Sequence, residues 1–162
     1  METRWLNDEE QRAWRAYRSL TLLMEDTLDQ RLRRDAGISH LYYSVLVFLS
    51  EAPDGRLRMT DLAEALKVAR SRLSYTVSRM ADDGLVRREG DPDDRRGQLA
   101  IVTEAGLSTL ERAAPGHVAT VRAAVFDRLD AEQIRVFGEV CEIVLSGLSG
   151  PDRPARDLPW RR

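Results

Sequence analysis

Apolar residues recur along this chain at two periods, and the changes of period mark out its architecture. From Trp14 through Tyr17, Leu20, Met24 and Leu28 they return every three or four residues, which is the stripe of an amphipathic helix. Asn7 precedes that stripe with Glu10 three positions on, the spacing of a capping box, and Gly37 stops it. Ser39 is placed to cap a second helix, LYYSVLVFLSEA, which presents Leu41, Val45, Phe48 and Leu49 to a core before Pro53 and Gly55 end it.

Two shorter helices follow. In TDLAEAL (60–66), Thr60 stands where a cap is needed, Asp61 lies in the first turn, and Leu62, Ala63 and Leu66 share one face. A turn over KVAR (67–70) leads into SRLSYTVSRMADDGL (71–85), with Leu73, Val77 and Met80 on the buried side and Gly84 at its end. The period then drops to two. LVRRE (85–89) and QLAIVT (98–103) read as strands, the second alternating Leu99 and Ile101 with Ala100 and Val102, around the long loop GDPDDRRG (90–97).

A helical period returns at Glu104, is interrupted at Pro115 and Gly116, and resumes through Val118, Val121, Val125 and Leu129. Asp130 caps a last helix in which Ile134, Phe137, Cys141, Val144 and Leu148 alternate three- and four-residue steps, the seam of a helix packed on other helices. The fold class is therefore mainly α with a small β-hairpin wing (α+β): a winged helix-turn-helix flanked by terminal dimerisation helices. Residues 1–162 form a single domain, with 1–37 and 107–149 as the dimerisation region, 38–106 as the winged helix-turn-helix, and 150–162 as a flexible tail rich in proline and arginine.

Because Leu73, Val77 and Met80 claim the inside of the second short helix, Ser71, Arg72, Ser74, Tyr75, Ser78 and Arg79 share its outer face, with Arg70 just ahead of them. That face is rich in donors and holds no carboxylate until Asp82. Arginine bonds guanine bidentately, serine bonds base edges or phosphates, and tyrosine reaches a phosphate or a thymine methyl, so the chemistry is that of major-groove readout. Arg95 and Arg96 sit in the loop between the strands, where a protruding tip meets the negative potential of a narrow minor groove.

The order of these features resembles the MarR (multiple antibiotic resistance regulator) family of transcription factors. The resemblance rests on DGLVRR (83–88), DRR (94–96) and TEAG (103–106), in sequence after the helix-turn-helix. It implies that Asp94 braces the wing by pairing with Arg87 or Arg88, that Arg96 probes the minor groove, and that Arg95 meets a phosphate or solvent. It also implies a homodimer on a pseudo-palindromic double-stranded DNA operator, acting as a repressor. A small aromatic effector is the remaining partner it suggests, with Trp14, Tyr17, His40 and Tyr43 as its candidate contacts and core packing as their competing role.

Composition sets limits on this picture. The chain carries 25 basic and 27 acidic residues, a net charge of −2, which would disfavour DNA if the charges were mixed. They are not mixed. Lys67, Arg70, Arg72, Arg79, Arg87, Arg88, Arg95 and Arg96 cluster in the winged helix, while Glu9, Glu10, Glu25, Asp26, Asp29, Glu139 and Glu142 lie on the terminal helices. No apolar run approaches membrane-spanning length and METRWLNDEE lacks the apolar core of a signal peptide, so a cytoplasmic protein without membrane partners is expected.

One cysteine and two isolated histidines give no metal-ligand spacing and no disulfide framework; no cofactor is expected, and Cys141 reads as a packing residue. No nucleophile with a base, paired carboxylates or phosphate-cradling loop appears at recognisable spacing, which argues against an enzyme. Two alternatives stay open at this level: a winged helix used only for protein contact, and a monomer that folds its stripes into its own core.

Overall fold

Side-chain caps fix where four of the helices begin. The computed structural model describes residues 2–92 and 94–148, without the side chains of Arg95 and Arg96, so the tail expected over 150–162 lies outside it. Within those residues the order is α1 (Asp8–Ala36), α2 (His40–Glu51), β1 (Arg56–Arg58), α3 (Met59–Ala65), α4 (Arg70–Asp82), β2 (Val86–Asp91), β3 (Asp94–Val102), α5 (Glu104–Ala124) and α6 (Ala131–Leu148). Ahead of α1, the Glu10 amide donates to Asn7 Oδ1 at 2.8 Å and the Asn7 amide to Glu10 Oε2 at 2.9 Å, which completes the capping box. Ser39 accepts from the Tyr42 amide at 3.1 Å, and Asp130 exchanges an equivalent pair with Gln133 at 2.8 and 3.0 Å. Each such cap contributes about 1 kcal/mol.

Thr60 does not cap. The helix starts at Met59 with Arg58 ahead of it, and the Thr60 hydroxyl donates to Asp61 instead, at 3.1 Å. The expected threonine stands two positions past the cap.

The core gathers Leu32 and Ile38 with Tyr43, Val45, Leu46 and Leu49 of α2, Leu62 and Ala63 of α3, Leu73, Val77 and Met80 of α4, and Val86, Ala100 and Ala113. Leu41 and Phe48 are only half-buried, because α2 turns Tyr43 and Leu46 inward in their place. The three strands form one antiparallel sheet in the order β1-β3-β2. β1 was not anticipated: Arg56-Leu57-Arg58 is too short for a period to show, and only Leu57 turns inward.

The hairpin is also tighter than expected. Instead of a loop over 90–97, pairing continues to Asp91 opposite Asp94, with a register shift after Gly90, which faces Gln98. Residues 95–97 are thus accommodated as a bulge. The physical reason lies in Asp91, whose carboxylate is buried rather than solvated.

The expected break in α5 is also absent: the helix runs through Pro115 and Gly116. An internal proline removes one backbone hydrogen bond, but Pro115 faces solvent, where water can satisfy the freed carbonyl. Helix continuity is supported from both sides by buried Thr109 and Ala113 and by the Thr120 hydroxyl, which donates to the Gly116 carbonyl at 2.8 Å. The helix ends at Ala124, and Phe126–Arg128 form a 3-10 turn before α6.

No residue of α6 is buried within the chain. Its seam residues Ile134, Phe137, Val144 and Leu148 are exposed, Cys141 is half-buried, and Val136, Val140 and Ile143 are exposed as well. Among the described residues, no helix is long and apolar enough to cross a membrane.

Candidate nucleic-acid interface

The turn between α3 and α4 is closed by backbone bonds from Lys67 to the Glu64 carbonyl and from Val68 to the Ala63 carbonyl, both 3.1 Å. Lys67 adopts the left-handed conformation (φ 53°) that this closure requires. At the other end of α4, Gly84 (φ 74°) takes the same role, with Leu85 bonded to Met80 at 2.9 Å. The helix is therefore held at fixed entry and exit angles. Thr103 locks the exit: its hydroxyl donates to the Gly84 carbonyl at 2.7 Å and accepts from the Gly106 amide at 3.0 Å.

Between these locks α4 buries Leu73, Thr76, Val77 and Met80 and turns the opposite face out. Arg70, Ser71, Arg72 and Arg79 are exposed, Tyr75 is 70% exposed, and Ser74 and Ser78 are half-buried. Arg79 leans toward Asp82 at 3.7 Å, while no acid lies in the first turn. The N-terminus of α4 has no side-chain cap, so its first amides are open to an anion such as a phosphate. Behind α4, the Tyr42 hydroxyl donates to Asp83 at 3.5 Å; burial, with the Asp83 charge adding to it, holds this phenol above its ordinary pKa.

Asp94 is exposed and lines a hollow of about 290 Å³ together with Arg58, Thr60, Arg70, Ser74, Arg88 and Gln98. Of the two arginines expected to meet it, Arg87 is committed to Glu89 at 2.7 Å, which leaves Arg88 facing the same hollow as Asp94. Sequence reasoning missed another pair there. Arg58 Nε lies 2.7 Å from Asp91 Oδ2, whose side chain is 3% exposed, and nothing local in the sequence links the two. The side chains of Arg95 and Arg96 are outside the described part of the wing.

The candidate effector residues fall into two separate groups. His40 bonds Glu25 through Nδ1 at 2.8 Å, and its amide donates to Asp29 at 2.8 Å. Burial alone would raise the Asp29 carboxyl, but the Arg33 hydrogen bond and the His40 amide outweigh it and hold the group below its ordinary pKa. Tyr43 is 8% exposed and stacks on His117 at 4.4 Å between ring centroids. His117, which sequence reasoning did not single out, lies 5.9 Å from the His40 ring. Burial, with the His40 charge adding to it, pushes the His117 pKa down, and burial pushes the Tyr43 phenol up.

Trp14 and Tyr17 pair with each other at 5.8 Å on an exposed part of α1. Eleven residues separate Trp14 from Glu25, the neighbour of His40, which is about 16 Å along a helix. Within one chain the two groups do not form a single pocket.

A helix with a basic, carboxylate-poor outer face, backed by a second helix and flanked by a three-stranded wing, defines the DNA-binding winged helix-turn-helix class. The comparisons with known proteins narrow it. The MarR family model matches residues 36–97, which run from the end of α1 into β3 of the wing. Sco3205 of Streptomyces coelicolor, a MarR family transcriptional regulator crystallised in complex with DNA, is 53% identical over 99% of both chains, with a TM-score of 0.87. AbsC from the same organism, also a MarR family transcriptional regulator, is 40% identical over 90% of this chain and 98% of its own, with a TM-score of 0.82. The HTH-type transcriptional repressor YetL of Bacillus subtilis is 28% identical over 65% of each chain. This chain belongs to the MarR family of transcriptional regulators.

Proposed function

We propose that the chain is a homodimeric, sequence-specific DNA-binding repressor that occupies a pseudo-palindromic operator and is released by a small aromatic ligand. The observation that carries this reading is the outer face of α4. Arg70, Ser71, Arg72, Ser74, Tyr75, Ser78 and Arg79 stand together on one side with no acid in the first turn. In this reading Arg72 and Ser71 read base edges in the major groove, Arg70, Ser78 and Arg79 meet phosphates, and the α4 N-terminus takes a further phosphate. Asp94 orders the wing, and Arg95 and Arg96 serve its minor-groove and phosphate contacts.

Two chains are needed because one winged helix spans only a short DNA segment, and a two-fold protein matches a two-fold site. The apolar faces of α6 and of the first half of α1 supply the joining surface over 1–37 and 107–149. An isolated amphipathic helix such as α6, with nothing buried, gains little stability in water from propensity alone. Sco3205, crystallised with DNA, supports the choice of ligand, and YetL, a repressor, supports the mode of action. For the effector, the stack of Tyr43 on His117 beside His40 supplies an aromatic wall between α2 and α5. The protein acts in the cytoplasm, where its DNA is.

Binding to a mixed-sequence duplex across a salt series tests the reading. Log affinity falls linearly with log salt if phosphates are neutralised. Absence of binding at low salt would instead favour a winged helix used for protein contact.

A further inference from the structure

We infer that Arg58 and Asp91 form a strut that sets the angle of the wing against the recognition helix, making them positioning residues for DNA binding. The inference rests on the DNA-binding reading above and assigns the wing's orientation to residues outside its tip.

The sheet itself leaves the wing under-supported. β1 pairs with β3 only from Leu99 to Ile101, opposite Arg58, Leu57 and Arg56. Beyond Leu99 the wing is a two-stranded ribbon of β2 and β3, and such ribbons twist readily when nothing packs on them. Arg58 is the last residue of β1 and immediately precedes α3, so its backbone belongs to the helix-turn-helix. Asp91 is the last residue of β2, placed at the register shift where the ribbon bulges. The 2.7 Å contact between them therefore ties the free end of the ribbon to the body at the point where sheet pairing to β1 has run out.

The carboxylate is held in place from its other side as well. A Cβ added to Gly97 would lie 2.8 Å from the Asp91 Cβ and 3.1 Å from its Oδ2, so the ribbon closes over Asp91 as only a glycine permits. A carboxylate with 3% exposure has little solvent to turn to, and the Arg58 guanidinium stands 2.7 Å from it as a charge partner. Arg58, Arg70, Ser74, Arg88 and Asp94 border one hollow, so a change in the strut moves the wing relative to α4 across that gap. The pair governs where the wing falls on DNA without touching a base.

The test uses the full-length chain and a duplex enriched from random-sequence DNA by the wild-type protein. In a second version of that duplex, the A·T pairs flanking each half-site carry 2,6-diaminopurine in place of adenine. This adds an amino group to the minor-groove floor and leaves the major groove unaltered. Wild type should bind the modified duplex about tenfold more weakly. Asp91→Asn, which removes the charge at nearly constant shape, should bind the plain duplex about tenfold more weakly and lose less than about twofold on modification, because its wing no longer sits in that groove. A mere loss of folded protein would lower both affinities together and leave the wild-type ratio intact. Should Asp91→Asn melt below the assay temperature, Arg58→Lys, which keeps a cation near Asp91 on a different reach, is read for the same collapse of the ratio at smaller amplitude. Wild-type affinity, or an undiminished tenfold ratio, in the folded variant overturns the strut. Failure of the wild-type chain to enrich any sequence would instead overturn the DNA-binding reading on which it rests.

Discussion

Gly106→Ala should destabilise the protein, although alanine is the better helix former. Gly106 is buried in the first turn of α5, where a Cβ would stand 2.1 Å from the Leu85 carbonyl oxygen, 3.0 Å from Val102 Cγ2 and 3.1 Å from Leu46 Cδ2. Reaching even 3.0 Å from that oxygen requires a shift of 3.0 − 2.1 = 0.9 Å. The obstacle is backbone, and it is the same carbonyl that accepts from the Thr103 amide at 3.1 Å, so α5 cannot back away without loosening the bond that seats it. Overpacking of this kind costs about 1 to 3 kcal/mol, and occasionally more. The helix-propensity gain for Gly→Ala is at most about 1 kcal/mol, and a clash with a backbone oxygen belongs at the upper end of the overpacking range, about 3 kcal/mol, so a net loss of about 2 kcal/mol is expected. For a chain of this size that lowers Tm by about 4 to 8 °C. Thermal unfolding followed by circular dichroism, at one fixed chain concentration because the proposed dimer would couple to stability, reads the shift. A Tm equal to or above wild type would refute the close approach of α5 to the end of the recognition helix.

Four further outcomes follow from the same structure. Arg72→Ala should weaken binding to the selected duplex by about 1 to 3 kcal/mol while changing mixed-sequence binding much less, and unchanged specific affinity in fluorescence anisotropy would remove Arg72 from base readout. Phe137→Glu places a charge in the proposed α6 seam and should give monomers in sedimentation at low micromolar concentration; a persistent dimer would assign the seam elsewhere. Asp94→Ala removes a negative charge near phosphates and should nonetheless weaken binding, because it disorders the wing; tighter binding would show that Asp94 braces nothing. The folded state favours neutral His117, so the unfolded chain takes up its proton first: the stability His117 contributes is complete above pH 6.5 and is lost as pH falls below it. Urea midpoints measured from pH 7 to pH 5 should fall for wild type and fall less for His117→Gln, and identical slopes would show that His117 is not the group responsible.

What the sequence disclosed was what depends on near neighbours. The Asn7–Glu10 box, the Ser39 cap, the Gly84 stop and the buried face Leu73-Val77-Met80 each involve residues within a few positions, and each stands where the spacing put it. The outer face of α4 was legible for the same reason, since three buried positions determine the rest of a helix. Errors arose where distant partners decide. Asp91 reads as a loop residue because nothing nearby announces Arg58, and the loop consequently looks longer than it is. Pro115 read as a break because packing against α1, which carries the helix across it, cannot be seen locally. The TEAG motif was visible as a string, but its physical content was not: Gly106 is needed for the Leu85 carbonyl and Thr103 for the Gly84 carbonyl, contacts made across the fold.

In the proposed complex, two copies of this chain read DNA with α4 in the major groove and the wing beside it. Hydroxyl-radical footprinting of the wild-type protein on its selected duplex puts that arrangement to the test. The expected footprint is two-fold symmetric, with two blocks of protected backbone about one helical turn or a multiple of it apart, each flanked on its outer side by a further protected segment where the wing lies in the minor groove. A single asymmetric patch, or no protection at low salt at any protein concentration, would contradict it.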